Sequence, residues 1–333
     1  MGNFQDWSVG IGKESVFRTP VTPTRWLELT DPKPFTPDRG IKQGAGIRVG
    51  SRVARSGRRV KTTKTAAGDL SVELFSKGLG LLIEACMGSG TSTVVSGSTY
   101  QQVHSLADVL PSHTIQFGIP NNAGTVRPLT FSGCTVSAFE IGGAVGDLAM
   151  FKSTWDAADW TTATALTAPS YPSGGNLFTV EDATIYSGTY TPATATVLAS
   201  ALNPVAGVKD FKVSVANQPV TDRYFMNAGG VKDRQLPGTR QPTVELNVEY
   251  GDNALWDAFE ADSELTLVIS LLAGSLSAGF ETFQIPIPAL KLDGDLPEGG
   301  PDAIASQAIK MTGLDNLSQA PMQIVTRTSD TAL

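Results

Sequence analysis

The sequence predicts a mainly β protein built of two tandem sandwich or barrel units, each with one short flanking α-helix and one projecting hairpin arm. Three observations carry this expectation. In GDLSVELF, Leu70, Val72 and Leu74 alternate with Asp69, Ser71 and Glu73, and QPTVELNVEYG (241–251) has the same alternation, the period of a half-buried strand. Each of these strands runs into a short helical stretch, SKGLGLLIEACMG (76–88) and DNALWDAFEADS (252–263). The order of patterns also recurs. Residues 67–88 line up with 241–262, and 130–157 with 283–313, at low residue identity, as expected of a repeated structural unit. A longer Gly/Ser/Thr connection in the first half absorbs the difference in spacing. The expected division is a first unit over 1–160, a Thr/Ala/Ser/Pro-rich linker over 161–177 and a second unit over 178–333.

Residues 1–35 are Pro-rich and read as extended chain, because Pro restricts its own φ and the residue before it. VGIGKES reads as a turn within them and WLEL as a strand. The basic arm (36–66) suits a long hairpin with SGRR at its tip, since Gly disfavours helix and Val, Ile and Thr favour strand. The first helix should close at Gly88. A flexible loop over 88–99 and a polar link to about 112 follow, then strands in HTIQFGIP, TVRPLTFSGCTVSAFEIG and LAMFKSTWDA. In the second half, FTVEDATIY and VKDFKVSVANQ read as strands, and 220–240 as a second arm with NAGG at its tip. Asp252 suits the N-cap of the second helix. ELTLVISLLAG, FQIPIPALKLDGDLP, AIASQAIKMTGL and PMQIVTRT complete the strand set.

Charge is segregated. Arg39 to Ala67 holds nine Arg and Lys and no Asp or Glu; with +9 there, the remainder of a chain of net charge -7 carries -16. Only 17% of residues are charged, below the usual quarter, which suits a surface partly covered by partners. The arm has three readings: a DNA-binding segment, a disordered tail, or a cationic arm that docks on an acidic copy of the same chain. Nine cations would serve phosphates well. However, no aromatic platform lies between 36 and 66, and the acidic remainder would repel DNA. Docking on a second copy is the favoured reading, since opposite charges steer such copies together.

No chemistry emerges from the motifs. His104 and His113 are the only histidines and both fall in the polar link; no GxSxG is present. VGIGKES lacks the second Gly of a phosphate loop. Cys86 and Cys134 sit among apolar residues, without zinc spacing, and read as buried free thiols. Asp293 and Asp295 lack the remaining ligands of a calcium loop. The expectation is therefore no catalytic, cofactor or metal site. No signal peptide and no apolar run long enough to span a bilayer are expected either.

Several motifs, in this order, are similar to those of the tail tube proteins of long non-contractile-tailed phages, in their longer two-unit version. They are GKESVFRTPVTPTRWLELTD, the Arg-rich arm, GDLSVEL, KGLGLLIE, TIQFG, FSGCTVSAFE (131–140) and GGPD (299–302). The similarity spans about residues 9–326, and Phe17-Arg18 departs from it where a small residue or Gly is expected. The resemblance implies two tail-tube-type units, rings stacking into a hollow tube for genome ejection, and a virion tail assembled in the host cytoplasm. It implies tape measure, tail tip and terminator proteins as partners, and genomic DNA passing without specific binding. A two-unit chain should form a homotrimeric, pseudo-hexameric ring; a homohexamer is the alternative. Arg48, Arg52, Arg55, Arg58 and Arg59 should lie on an arm that reaches an acidic face of the adjacent ring. A virion decoration or adhesin-like β-sandwich is the alternative function.

Overall fold

The computed structural model describes residues 4–31, 33–251, 254–293 and 305–333. Its strands pair in the same order twice. In the first half, β1 (Ser8–Lys13) pairs with β2 (Arg25–Leu27) and with β9 (His113–Pro120), and β9 pairs with β10 (Val126–Ala144). β10 then pairs with β11 (Met150–Ala157), β11 with β6 (Thr65–Glu73), and β6 with β3 (Thr36–Asp38). In the second half, β13 (Ala183–Thr191) pairs with β14 (Ser200–Pro204) and with β17 (Leu265–Ser275), and β17 with β18 (Phe280–Leu292). β18 pairs with β19 (Ser306–Gly313), β19 with β16 (Gln241–Glu249), and β16 with β15 (Val208–Ala216). All of these pairings are antiparallel. The helices α1 (Gly80–Met87) and α2 (Ala254–Glu260) follow β6 and β16, as the aligned patterns require.

The halves join edge to edge. β10 is 19 residues long: its first part pairs with β9 and with β12 (Asp159–Thr161), and its last part with both β11 and β15. The β10–β15 register runs from Ala138↔Ala216 to Ala144↔Asp210. One sheet therefore crosses the chain in the order β3-β6-β11-β10-β15-β16-β19-β18. Its core side is apolar: Leu70, Val72, Phe139, Ile141, Phe151, Val213, Val244 and Leu246 are buried. Phe35, Phe117 and Phe131 pack as a cluster with ring centroids 5.0 to 5.8 Å apart.

Three stretches depart from expectation. VGIGKES is not a turn: most of it forms β1, paired on both edges, with Val9 and Ile11 in the core. Its glycines serve close chain approach, since a Cβ on Gly10 would lie 2.7 Å from Pro23 Cβ. The loop and polar link over 88–112 are a hairpin, β7 (Gly88–Ser96) and β8 (Thr99–Leu106), and β8 pairs with β20 (Gln323–Thr328). Alternation was hidden there because β8 buries polar groups. Gln101 Nε2 donates to the Thr194 and Val197 carbonyls at 2.8 and 3.0 Å, and Gln102 Nε2 to that of Ala332 at 3.2 Å. In consequence His104 and His113 are fully buried strand residues, not members of a polar link. Finally, β14 was not anticipated; four of its five residues are exposed, so it shows no apolar period.

Other expectations meet the structure directly. α1 ends at Gly88, whose φ of 100° is left-handed. Cys86 and Cys134 are buried free thiols, and burial raises both well above the usual thiol range. Arg18, part of the Phe17-Arg18 pair where the family resemblance leads one to expect a small residue or Gly, has φ 63°, a conformation Gly adopts freely. Its amide donates to Glu14 Oε2 at 2.8 Å, which helps to hold it there. Asp252 as N-cap, Asp295 and the GGPD turn lie outside the described residues.

Candidate functional site

The basic arm leaves the sheet between β3 and β6. Its base is a two-stranded ribbon, β4 (Ile41–Gln43) with β5 (Arg59–Lys61). SGRR is not its tip: Ser56–Arg58 form a single 3-10 turn at the start of β5. The chain reverses at Arg48–Ser51, where the Ser51 amide donates to the Arg48 carbonyl at 3.2 Å. Arg48, Arg52, Arg58 and Arg59 are exposed and Arg55 is half-buried, and among the described residues none of the five has an ion-pair partner within the chain. The arm also exposes apolar groups: Ile47 is 97%, Val49 100% and Val53 80% accessible. Lys64 anchors its base, pairing with Asp159 and lying 4.6 Å from the centroid of the Trp160 ring.

The second arm (220–240, led into by residues 217–219) turns at NAGG as predicted, with Asn227, Gly229 and Gly230 at φ of 65°, 65° and 74°. Its flanks are fastened to the first half. Lys232 Nζ lies 2.6 Å from Asp156 Oδ1, and Gln235 Nε2 donates to Asp156 Oδ2 at 2.8 Å, all of it buried. Asn217 Nδ2 donates to the Cys86 and Val136 carbonyls at 3.2 Å. Arg240 donates to the carbonyls of Met87, at 3.3 Å, and Ala107, and Arg234 to that of Leu110 at 3.1 Å. Of these acceptors, the Cys86 and Met87 carbonyls lie in the last turn of α1, where a helix leaves acceptors unpaired.

The outward face of the long sheet carries alternating charge across successive strands. Lys152 on β11 lies 3.4 Å from Asp69 on β6 and is in register with Glu140 on β10. Lys212 on β15 lies 3.3 Å from Glu140 and 3.8 Å from Glu245 on β16. Glu245 is in register with Lys310 on β19. Asp293, at the end of β18, donates its amide to the Lys310 carbonyl at 2.9 Å and accepts from Thr312 Oγ1 at 3.0 Å. Opposite charges in neighbouring positions avoid cross-strand repulsion. Glu140, Lys152, Thr154, Ser214, Gln218 and Thr243 line a shallow concavity of about 290 Å³ on this face. This row could not be read from the sequence; its members are isolated charges in strands that become neighbours only on folding.

Among the described residues the other titratable groups near the core are buried or paired. His104 and His113 are pushed down to about 3 by burial, and His113 additionally by the Lys13 charge. Lys13 Nζ pairs with Glu84 at 2.6 Å, and buried Glu14 accepts from Thr114 Oγ1 and from the Gly133 amide at 2.9 Å. Among the described residues no three His, Cys, Asp or Glu side chains could share a metal ion, and no helix is long and apolar enough to cross a membrane.

No curated protein matches the chain. The family profile described as phage tail tube protein matches residues 5–313, which covers both halves of the repeated pairing, both arms and the long sheet. A match over that span, on a mainly β antiparallel fold, makes this chain a structural component of a virion tail and a member of the phage tail tube protein family.

Proposed function

We propose that three copies of this chain form a pseudo-sixfold ring and that rings stack into the hollow tube through which the genome is ejected. The β10–β15 junction carries the proposal. It continues one sheet from the first half into the second, so a single chain holds two successive segments of a wall. In this reading the two units are residues 1–160 and 178–333, joined by 161–177. The same edge-to-edge step between copies would pair β18 of one copy with β3 of the next and close the ring, and a head-to-tail contact between rings would propagate the tube. The concave charged face lines the lumen. Lys152 and Lys212 each have a carboxylate within 3.4 Å and Lys310 is in register with Glu245, so among the described residues this row offers phosphates no isolated cation, and DNA passes without specific binding. The basic arm, with Arg48, Arg52, Arg55, Arg58 and Arg59, contacts another copy. Assembly takes place in the host cytoplasm, with tape measure, tail tip and terminator proteins setting length and ends.

Negative-stain electron microscopy over a range of concentrations tests this. Rings with a central hole, or tubes whose end-on views show threefold symmetry, support it. Discrete solid particles at all concentrations, also when a tail tip complex is supplied, overturn it.

A further inference from the structure

The two helices occupy equivalent places in the repeated pairing but differ in cover. All eight residues of α1 are buried, and the second arm of the same chain seals its C-terminal end through Asn217 and Arg240. Among the described residues no such arm reaches α2. Asp257, Phe259, Glu260, Asp262 and Glu264 are exposed, and Phe259 is 38% accessible although its ring packs 5.5 Å from Trp256. One cation of the chain, Lys291, pairs with Asp262. The basic arm has the opposite surplus: from Arg39 to Ala67 it holds nine cations, of which Lys64 is paired with Asp159, and no carboxylate, and it exposes Ile47, Val49 and Val53. It leaves the sheet from β3, the strand that corresponds to β15, from which the second arm leaves.

We infer that the basic arm of one copy covers α2 of its lateral neighbour, repeating between chains what the second arm does to α1 within one chain. The step from second unit to first unit is already made within the chain: the arm following β15 crosses β10 and reaches α1. Where β3 of one copy meets β18 of the next, the same step brings the arm following β3 to α2. Charge complementarity agrees: Asp257, Glu260 and Glu264 offer carboxylates to Arg52, Arg55, Arg58 and Arg59. The arm's exposed valines and isoleucine meet the Trp256–Phe259 edge. The acceptor is thus the neighbour within a ring, in place of the adjacent ring expected with the family resemblance. This inference rests on the tube reading.

The test is a charge swap read by sedimentation velocity and electron microscopy. One variant carries Arg52→Glu, Arg55→Glu, Arg58→Glu and Arg59→Glu; a second carries Asp257→Lys, Glu260→Lys and Glu264→Lys; a third carries both sets. Circular dichroism checks that each is folded. Each single set should leave unassembled subunits and raise the concentration needed for rings about tenfold or more. The combined set should restore rings. Rings that form in either single set but fail to stack would overturn the lateral assignment, as would wild-type assembly of the Lys variant. Failure of the wild-type chain to form rings at all is a separate result and counts against the tube reading instead.

Discussion

Lys212 stands 3.3 Å from Glu140 across the strand pair that joins the two halves of the chain. It also faces Glu245, at 3.8 Å, so one lysine is held between two carboxylates on the outward side of the sheet. All three side chains are nearly half exposed, and such pairs add little to stability. Their consequence is electrostatic: the cation is compensated locally.

If this face lines the proposed lumen, removing that compensation should change how the tube treats DNA. Glu140→Gln with Glu245→Gln leaves Lys152 and Lys212 without those two neighbours. Stability should move by less than about 1 kcal/mol, while assembled tubes should begin to retain a fluorescent duplex at low salt and release it at high salt. Equal retention by wild-type and variant tubes would contradict the lumen assignment.

The Lys232–Asp156 pair behaves differently because it is buried, with side chains 6% and 10% accessible. Lys232→Met strands a carboxylate held only by Gln235 and should cost about 3–5 kcal/mol in urea unfolding. Replacing both partners with apolar residues should recover much of that loss. A single-variant cost under about 1 kcal/mol would mean that the second arm contributes little to the fold.

Gly230 combines a φ of 74° with a position where a Cβ would overlap the Thr62 carbonyl. Its own carbonyl accepts from the Lys64 amide at 2.8 Å, tying the second arm to the base of the first. Gly230→Ala should therefore loosen both arms together. Limited proteolysis should cut within 39–64 and 220–240 faster than in the wild-type chain, with other sites unchanged.

Acid should destabilise the chain through its two histidines. Both are held neutral in the fold, at about 3, against an unfolded value near 6.5. A lowered folded value means that the unfolded chain binds protons first. The stabilisation is complete above about 6.5 and is lost progressively as pH falls toward 3. Melting temperatures from pH 7 to pH 4 should fall, and His104→Gln should flatten the decline. An unchanged slope would show that His104 does not contribute to the acid limit.

Much of the architecture was legible in the sequence because alternation is local. Leu70, Val72 and Leu74, and Val244, Leu246 and Val248, declare a buried face without reference to any partner strand. The helix stop at Gly88 and the turn at Asn227 to Gly230 were equally local, since each depends on a positive φ. β1 and β8 were not legible for the opposite reason. Gly10 answers to Pro23, and Gln101 to carbonyls near residue 195; neither partner lies close in sequence.

The assembly surfaces divide along the same line. Fold class, the order of the repeated elements and the charge of the arm follow from the residues alone, because composition and short-range periodicity do not depend on distant segments. It took the folded chain to set Glu140, Lys212 and Glu245 in one row, to bring the second arm onto α1, and to leave Asp257, Phe259 and Glu260 of α2 exposed. Strand register sets those neighbours, and register is a relation between segments tens of residues apart that no local pattern encodes.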